Sequence, residues 1–360
     1  ATMPKTSMLH LVAPNGSLLT ALYTDIFKPQ AAGDRSFVEI IKDEVRSRRA
    51  IPYLRQKLMI NGEVVPCTKS WEELGKPLEV EFHLLPYVQT GARRLLLMAE
   101  QGEVEEAEQA LLLPQEPNAT DADGETAALK ASRQGHMEMM QLLAYADADM
   151  NIANCEGSAP IIEAARHGHV QVIQFLVNDC GADKDAWNDW GETALYLAAE
   201  ENHHEVVHCL LEAKANKDKA NYDGMTPLLA AASKGHSQSV AALLRARAAK
   251  NTCNVLGQTP LFLASKCGHK EVVHRLLQAN ADKHKATNCG QLPLFAAAKE
   301  GHADVVQLLT EGRGDREARH NGATAIYIAA LRGHVSIVKR LIETRAEPDA
   351  ATPSGETPLF

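Results

Sequence analysis

Thr226-Pro227-Leu228-Leu229-Ala230-Ala231-Ala232-Ser233-Lys234-Gly235-His236 is the stretch on which the fold turns. A threonine hydroxyl caps the orphan N–H groups of a helix start, and proline suits the first helical turn. The alanines that follow let a neighbouring helix approach closely. Gly235 suits the left-handed conformation that ends a helix of about two turns. His236 then opens a second helix, with Val240, Leu243 and Leu244 on one apolar face. Neither helix is long enough to stand alone in water, so the pair must stack on copies of itself.

The copies are there. A glycine followed two residues later by Thr, Ala or Leu recurs at Gly124, Gly157, Gly191, Gly224, Gly257, Gly290, Gly322 and Gly355, at spacings of 32 to 34 residues. Eleven residues beyond most of them comes a Gly-His step: Gly135-His136, Gly168-His169, Gly235-His236, Gly268-His269, Gly301-His302 and Gly333-His334. One unit carries Asn202-His203 instead. Apolar pairs such as Leu142-Leu143, Leu210-Leu211 and Leu276-Leu277 close the second helices.

This grammar resembles the ankyrin repeat, whose period is the same and whose signature reads T-P-L-H-x-A. The signature histidine is replaced throughout, by Leu229, Phe262 and Phe295 in three units. A degenerate first unit, Gly91 to Pro117, keeps the 11-residue offset to Gly102, and its second helix reads Glu105-Glu106-Ala107-Glu108, polar as a terminal cap should be. At the other end Gly355-Glu356-Thr357-Pro358-Leu359-Phe360 opens a further repeat, so the array is expected to continue.

Before the array the pattern changes. Met8–Ala13 and Leu18–Tyr23 read as strands around the turn Pro14-Asn15-Gly16-Ser17, and Phe27–Arg35 as a loop. Ser36-Phe37-Val38-Glu39 is a capping box opening a helix with Phe37, Ile40, Ile41 and Val45 on one face. Lys57–Ile60, an Asn61-Gly62 hairpin turn, Glu63–Val65 and the alternating Leu78–Phe82 complete the set. Strand, strand, helix, strand, strand resembles the β-grasp of the ubiquitin-like family. The closest segment is Ala50-Ile51-Pro52-Tyr53-Leu54-Arg55-Gln56-Lys57-Leu58-Met59-Ile60-Asn61-Gly62. That family's receptor-binding patch lies on its third and fifth strands; Met59 matches one of its apolar positions, whereas Glu81 occupies another. The last strand runs into Leu84-Leu85-Pro86-Tyr87 rather than a terminal Gly-Gly, which argues against a transferable tag.

The expected architecture is α+β overall: a disordered segment 1–7, a ubiquitin-like β-grasp domain 8–88, a degenerate capping unit 89–120, and an all-α, right-handed ankyrin solenoid over 121–360. Composition agrees. With 45% apolar and 23% charged residues the chain is neither collagen-like nor disordered, and 360 residues exceed one core. No apolar run approaches the ~20 residues that span a bilayer. Residues 1–88 hold 11 basic and 10 acidic side chains against 26 and 36 in the remainder, so the formal charge of −9 lies in the array. An acidic body repels phosphate backbones and disfavours nucleic acid. Seven scattered cysteines with no C-x-x-C pair read as reduced thiols in a cytoplasmic, intracellular protein.

No nucleophile elbow, P-loop or H-E-x-x-H is present. His203, His204, His208 and Cys209 cluster, but nothing completes a ligand set. The expectation is a non-enzymatic chain with no cofactor and no metal. In the ankyrin family the fingers and the exposed side of the first helix bind protein, and the resemblance implies the same use here. Around the recurrent glycines three consecutive fingers carry Trp187 and Trp190, Tyr222 and Met225, and Val255 and Leu256, large apolar side chains where polar ones would suffice. Along the first helices runs a basic row, Arg133, Arg166, Lys234, Lys266, Lys299 and Arg332, interrupted at Glu200 and Glu201, which suits partners with acidic or mixed-charge segments. The reading is a scaffold or adaptor for other proteins. Two alternatives stand beside it: an adaptor engaging ubiquitin-pathway components (a ligase or the proteasome), and the regulatory region of an enzyme or channel lying beyond residue 360.

Overall fold

A computed structural model describes residues 8–12, 18–23, 41, 56–60, 63–65, 79–84, 92–112, 116–311 and 319–358. The chain divides into two compact units, Ala1–Ile152 and Ala153–Phe360.

The first unit opens with a five-stranded mixed sheet. Its strands are β1 (Met8–Val12), β2 (Leu18–Tyr23), β3 (Gln56–Ile60), β4 (Glu63–Val64) and β5 (Glu79–Leu84), in the order β2-β1-β5-β3-β4. β1 pairs antiparallel with β2, with a register shift between Leu11 and Val12, and parallel with β5. β3 pairs antiparallel with both β4 and β5. A parallel neighbour cannot be reached by a hairpin, so the chain between β2 and β5 has to cross over. Ile41, helical and fully buried, lies in that connection, and Leu58, Val65 and Val80 are buried too. Met59 and Glu81 are register partners, which sets the two positions side by side on one face. Segment 1–7, the loop Phe27–Arg35, the capping-box helix apart from Ile41, Ala50–Arg55 and the Asn61-Gly62 turn lie outside the described residues.

Among the described residues four helices follow in this unit: α1 (Ala92–Gln101), α2 (Val104–Leu112), α3 (Ala127–Gln134) and α4 (Met137–Tyr145). α1 packs on α3 and α2 on α4. On α2, Ala107, Ala110 and Leu111 are buried while Glu105, Glu106 and Glu108 are exposed, so one face packs and the other meets solvent.

Among the described residues the second unit repeats the helix pair six times. Its first helices are α5 (Pro160–Arg166), α7 (Ala194–Glu200), α9 (Pro227–Lys234), α11 (Pro260–Cys267), α13 (Pro293–Glu300) and α15 (Ala325–Leu331). Its second helices are α6 (Val170–Asn178), α8 (His204–Glu212), α10 (Ser237–Arg245), α12 (Lys270–Gln278), α14 (Ala303–Thr310) and α16 (Val335–Glu343). Successive first helices pack on one another, as do successive second helices. Residues Pro227–Ala232 of α9 are all buried, its alanines packed between large neighbours.

Local chemistry sets the ends. Thr126, Thr193, Thr226, Thr259 and Thr324 each accept a hydrogen bond from the N–H three residues on, at 3.1–3.4 Å. Ala159 and Leu292 take the same N-cap place with no side-chain bond. Gly135, Gly235, Gly268 and Gly301 close their helices at φ of 76 to 89°. In the unit that lacks this glycine, Asn202 adopts φ 66°, asparagine being the residue that best tolerates that conformation.

The Gly-His step has a second purpose that joins repeats. His236 does not cap its helix with its side chain; its Nε2 reaches back 2.8 Å to the Glu200 carbonyl. His269, His302, His334 and His203 do the same to Ser233, Lys266, Lys299 and Arg166 at 2.9–3.1 Å. His136 meets Glu100 within the first unit, at 3.2 Å. A carbonyl only accepts, so each neutral ring carries its proton on Nε2. The ring lies on the preceding glycine: a Cβ on Gly268 would sit 2.5 Å from His302 Nδ1. The glycine therefore both turns the chain and makes room for the next repeat's imidazole.

Candidate protein-interaction surface

The fingers are built around the residue three places before the recurrent glycine. Asn188 Oδ1 accepts from the N–H groups of Trp190 and Glu192 at 3.1 and 2.9 Å. Asn154, Asn221 and Asn254 repeat this double bond, as does Asp121 in the first unit. Such side-chain turns hold a loop without regular structure.

In the second unit neighbouring fingers are also bonded main chain to main chain. Asp189 N–H donates to Glu156 O, Tyr222 to Trp190, Val255 to Asp223, and Asn288 to Leu256, at 2.9–3.2 Å. Five successive fingers thus form one ladder, with a single rung between each pair. Gly191 and Gly224 face the next finger so closely that an added Cβ would lie 3.0–3.1 Å from its backbone nitrogen.

On this ladder Trp187, Trp190, Tyr222, Val255 and Leu256 are exposed, at 53, 48, 70, 61 and 57%. One face of Trp187 is already covered: Lys219 Nζ stands 3.5 Å above its ring and bonds the Asp185 carbonyl at 2.9 Å. Met225 departs from the expected exposed row. It is half-buried against Leu229, Phe262, Leu263 and Ala296. It occupies the position just after the glycine, where Glu192, Gln258 and Gln291 are also half-buried and Ser158 is buried. That position returns toward the helices, whereas the one or two before the glycine point outward.

Of the six basic residues, Arg133, Arg166 and Lys234 have acidic partners. Arg133 bonds Glu125, whose carboxylate also meets Lys130 at 3.1 Å; Lys130 reaches Asp121 and Glu100 as well. Burial alone would raise the Glu125 carboxyl, but Arg133 and Lys130 outweigh it and hold it below its ordinary value. In the second unit Arg166 lies 3.9 Å from Glu192 and Lys234 3.9 Å from Glu200. Among the described residues Lys266, Lys299 and Arg332 make no ion pair. Where the row is interrupted, the surface turns acidic. Burial, with Glu192 and Glu201 nearby, raises the Glu200 carboxyl despite Lys234. Burial first, and then Glu200, Glu192 and Asp223, push the Tyr196 phenol up.

Among the described residues no group of three or more His, Cys, Asp or Glu side chains is placed to hold a metal. His203 is engaged on Arg166, and His208 on Glu212 at 3.4 Å. The six described cysteines are unpaired, and burial raises the Cys180 and Cys209 thiols. No helix among the described residues is long and apolar enough to cross a membrane.

Stacked helix pairs, with neighbouring fingers hydrogen-bonded to one another, define a class of repeat protein. The model of ankyrin repeats in three copies matches residues 95–188, 180–254 and 246–319, and that of the single ankyrin repeat matches 321–353. The chain belongs to the ankyrin-repeat family. Ankyrin repeats are in general protein–protein interaction modules and are typically non-catalytic. No curated protein matches the chain.

Proposed function

We propose that this chain is a non-enzymatic adaptor that docks partner proteins on the fingers and first helices of its ankyrin array. The observation that carries the reading is the concentration of five exposed large apolar side chains on three fingers already locked together by main-chain bonds. Apolar surface costs solubility unless something covers it. A ladder fixed before binding has little conformational entropy left to lose, so a few anchors suffice for affinity. Trp187, Trp190 and Tyr222 are the principal anchors, with Val255 and Leu256 beside them and Met225 supporting from below. Lys266, Lys299 and Arg332, which make no ion pair among the described residues, extend the surface as its basic part. Unpaired thiols favour an intracellular, cytoplasmic setting.

The test replaces Trp187, Trp190 and Tyr222 with Ser together and measures partner capture and thermal unfolding. Capture is expected to fall at least about tenfold with an unchanged midpoint. Unchanged capture with a lowered midpoint assigns the aromatics to packing instead.

We also read residues 8–88 as a β-grasp domain, ahead of a capping unit 89–120 and the repeats 121–360. The order β2-β1-β5-β3-β4, with β1 parallel to β5, supports it. Its use would be to engage ubiquitin-pathway proteins while the array selects a client. Binding of such proteins by the full chain, lost on deletion of 8–88, is the expected result; equal binding by both rejects it.

A further inference from the structure

The charges around the apolar comb define the partner further, given the recognition reading above on which this step rests. Of nine large apolar side chains exposed among the described residues, five lie on the fingers between 187 and 256. The exposed charges among them are Asp189 and Asp223, with Glu156 on the preceding finger and half-buried Glu192 at the base. Most lysines of the loops that carry these and the following finger are occupied: Lys219 on the Asp185 carbonyl and Trp187, Lys285 on the Asn251 carbonyl at 2.8 Å, Lys283 on the Leu309 and Glu311 carbonyls, and Lys217 beside Asp218 at 3.8 Å, while Lys184 and Lys250 are half-buried. Behind the fingers the crowded carboxylates Glu192 and Glu200 have only loose cationic neighbours, at 3.9 Å.

Lys219 also displays the chemistry that fits this surface. Its ammonium lies over an indole while its bond to a carbonyl satisfies a proton. A cation over Trp or Tyr is attracted by the ring face, the more so near carboxylates. Trp190 and Tyr222 present comparable rings with no such guest among the described residues.

We propose that the fingers over 187–256 dock a segment of a partner protein that carries large apolar side chains flanked by lysine or arginine. The apolar side chains rest on Trp190, Tyr222, Val255 and Leu256, and the cations meet Asp189, Glu192 and Asp223. The charge is complementary in the sense that sets both specificity and approach.

The probes are two labelled peptides sharing one Leu/Phe core, one flanked by lysines and the other by glutamates, titrated against the full chain by fluorescence anisotropy. At about 0.05 M salt the lysine-flanked peptide is expected to bind at least about tenfold tighter, the margin shrinking near 0.5 M salt. The double variant Asp189→Asn/Asp223→Asn should lose most of that margin with an unchanged unfolding midpoint. The variant Trp190→Ala/Tyr222→Ala should lose both peptides. Equal affinities, a preference for glutamate, no binding, or a lysine preference surviving in the Asp variant overturns the proposal. Equal affinities that still vanish with the aromatics would leave the recognition surface standing and remove only its charge selectivity. Binding indifferent to the aromatics would remove both. Self-association that depends on Trp190 and Tyr222 would assign the comb to a second copy of the chain and overturn the proposal as well.

Discussion

A glycine and a histidine 34 residues apart, Gly268 and His302, are fitted to one another, because the imidazole occupies the space that a side chain at the glycine would need. Gly268→Ala places a side chain at φ +78° and 2.5 Å from the imidazole, and should cost about 2 kcal/mol or more in urea unfolding. In a His302→Ala background only the backbone strain remains, so the same change should cost less; an equal cost would mean the ring yields freely. His236 adds a pH signature. Burial holds its imidazole below its ordinary value of 6.5 against the opposing pull of its bond to Glu200. The unfolded chain therefore takes up the proton first. Its contribution is complete above about pH 6.5 and is lost as pH falls below that. His236→Gln should flatten the slope of stability below about pH 6.5, while Glu125, whose carboxyl is lowered, governs a separate loss below its ordinary 4.5.

At the level of the element, five threonine caps and two absences make a natural comparison. Ala159 and Leu292 share the extended backbone of the threonines, with ψ of 162 and 155°. Leu292→Thr and Ala159→Thr should each stabilise by about 1 kcal/mol, read from denaturant midpoints, and Thr226→Ala should lose a similar amount. These caps were legible in the residues alone, as were the helix-ending glycines, since both act within one turn. The finger geometry was not. Asn154, Asn188, Asn221 and Asn254 recur as regularly as the glycines, yet nothing local marks them as the acceptors that shape the finger. Met225 was misplaced for the same reason: whether a side chain beside a turn points out or back depends on register. The basic row was visible, but two of its partners stand 26 and 34 residues away, Glu192 for Arg166 and Glu200 for Lys234, distances that only the stacked structure converts into neighbours.

Among the described residues of the second unit, the main helix contacts run within a repeat or between adjacent ones, so damage should stay local. Leu243, fully buried on α10 against α8 and α12, tests this. Leu243→Ala should cost about 2–5 kcal/mol in cavity and transfer terms. Hydrogen exchange should quicken in α8, α10 and α12 while α15 and α16 keep their protection; uniform acceleration would instead indicate a single cooperative block.

The imidazole bridges of this unit reach back 35 to 37 residues and the finger rungs 32 or 33, whichever repeat one starts from. No interaction of these kinds has to close more than about one repeat of chain. Duplicating an internal unit would therefore lengthen the array without adding a slower step to its assembly, since the search that each new unit faces is the one its neighbour has already completed.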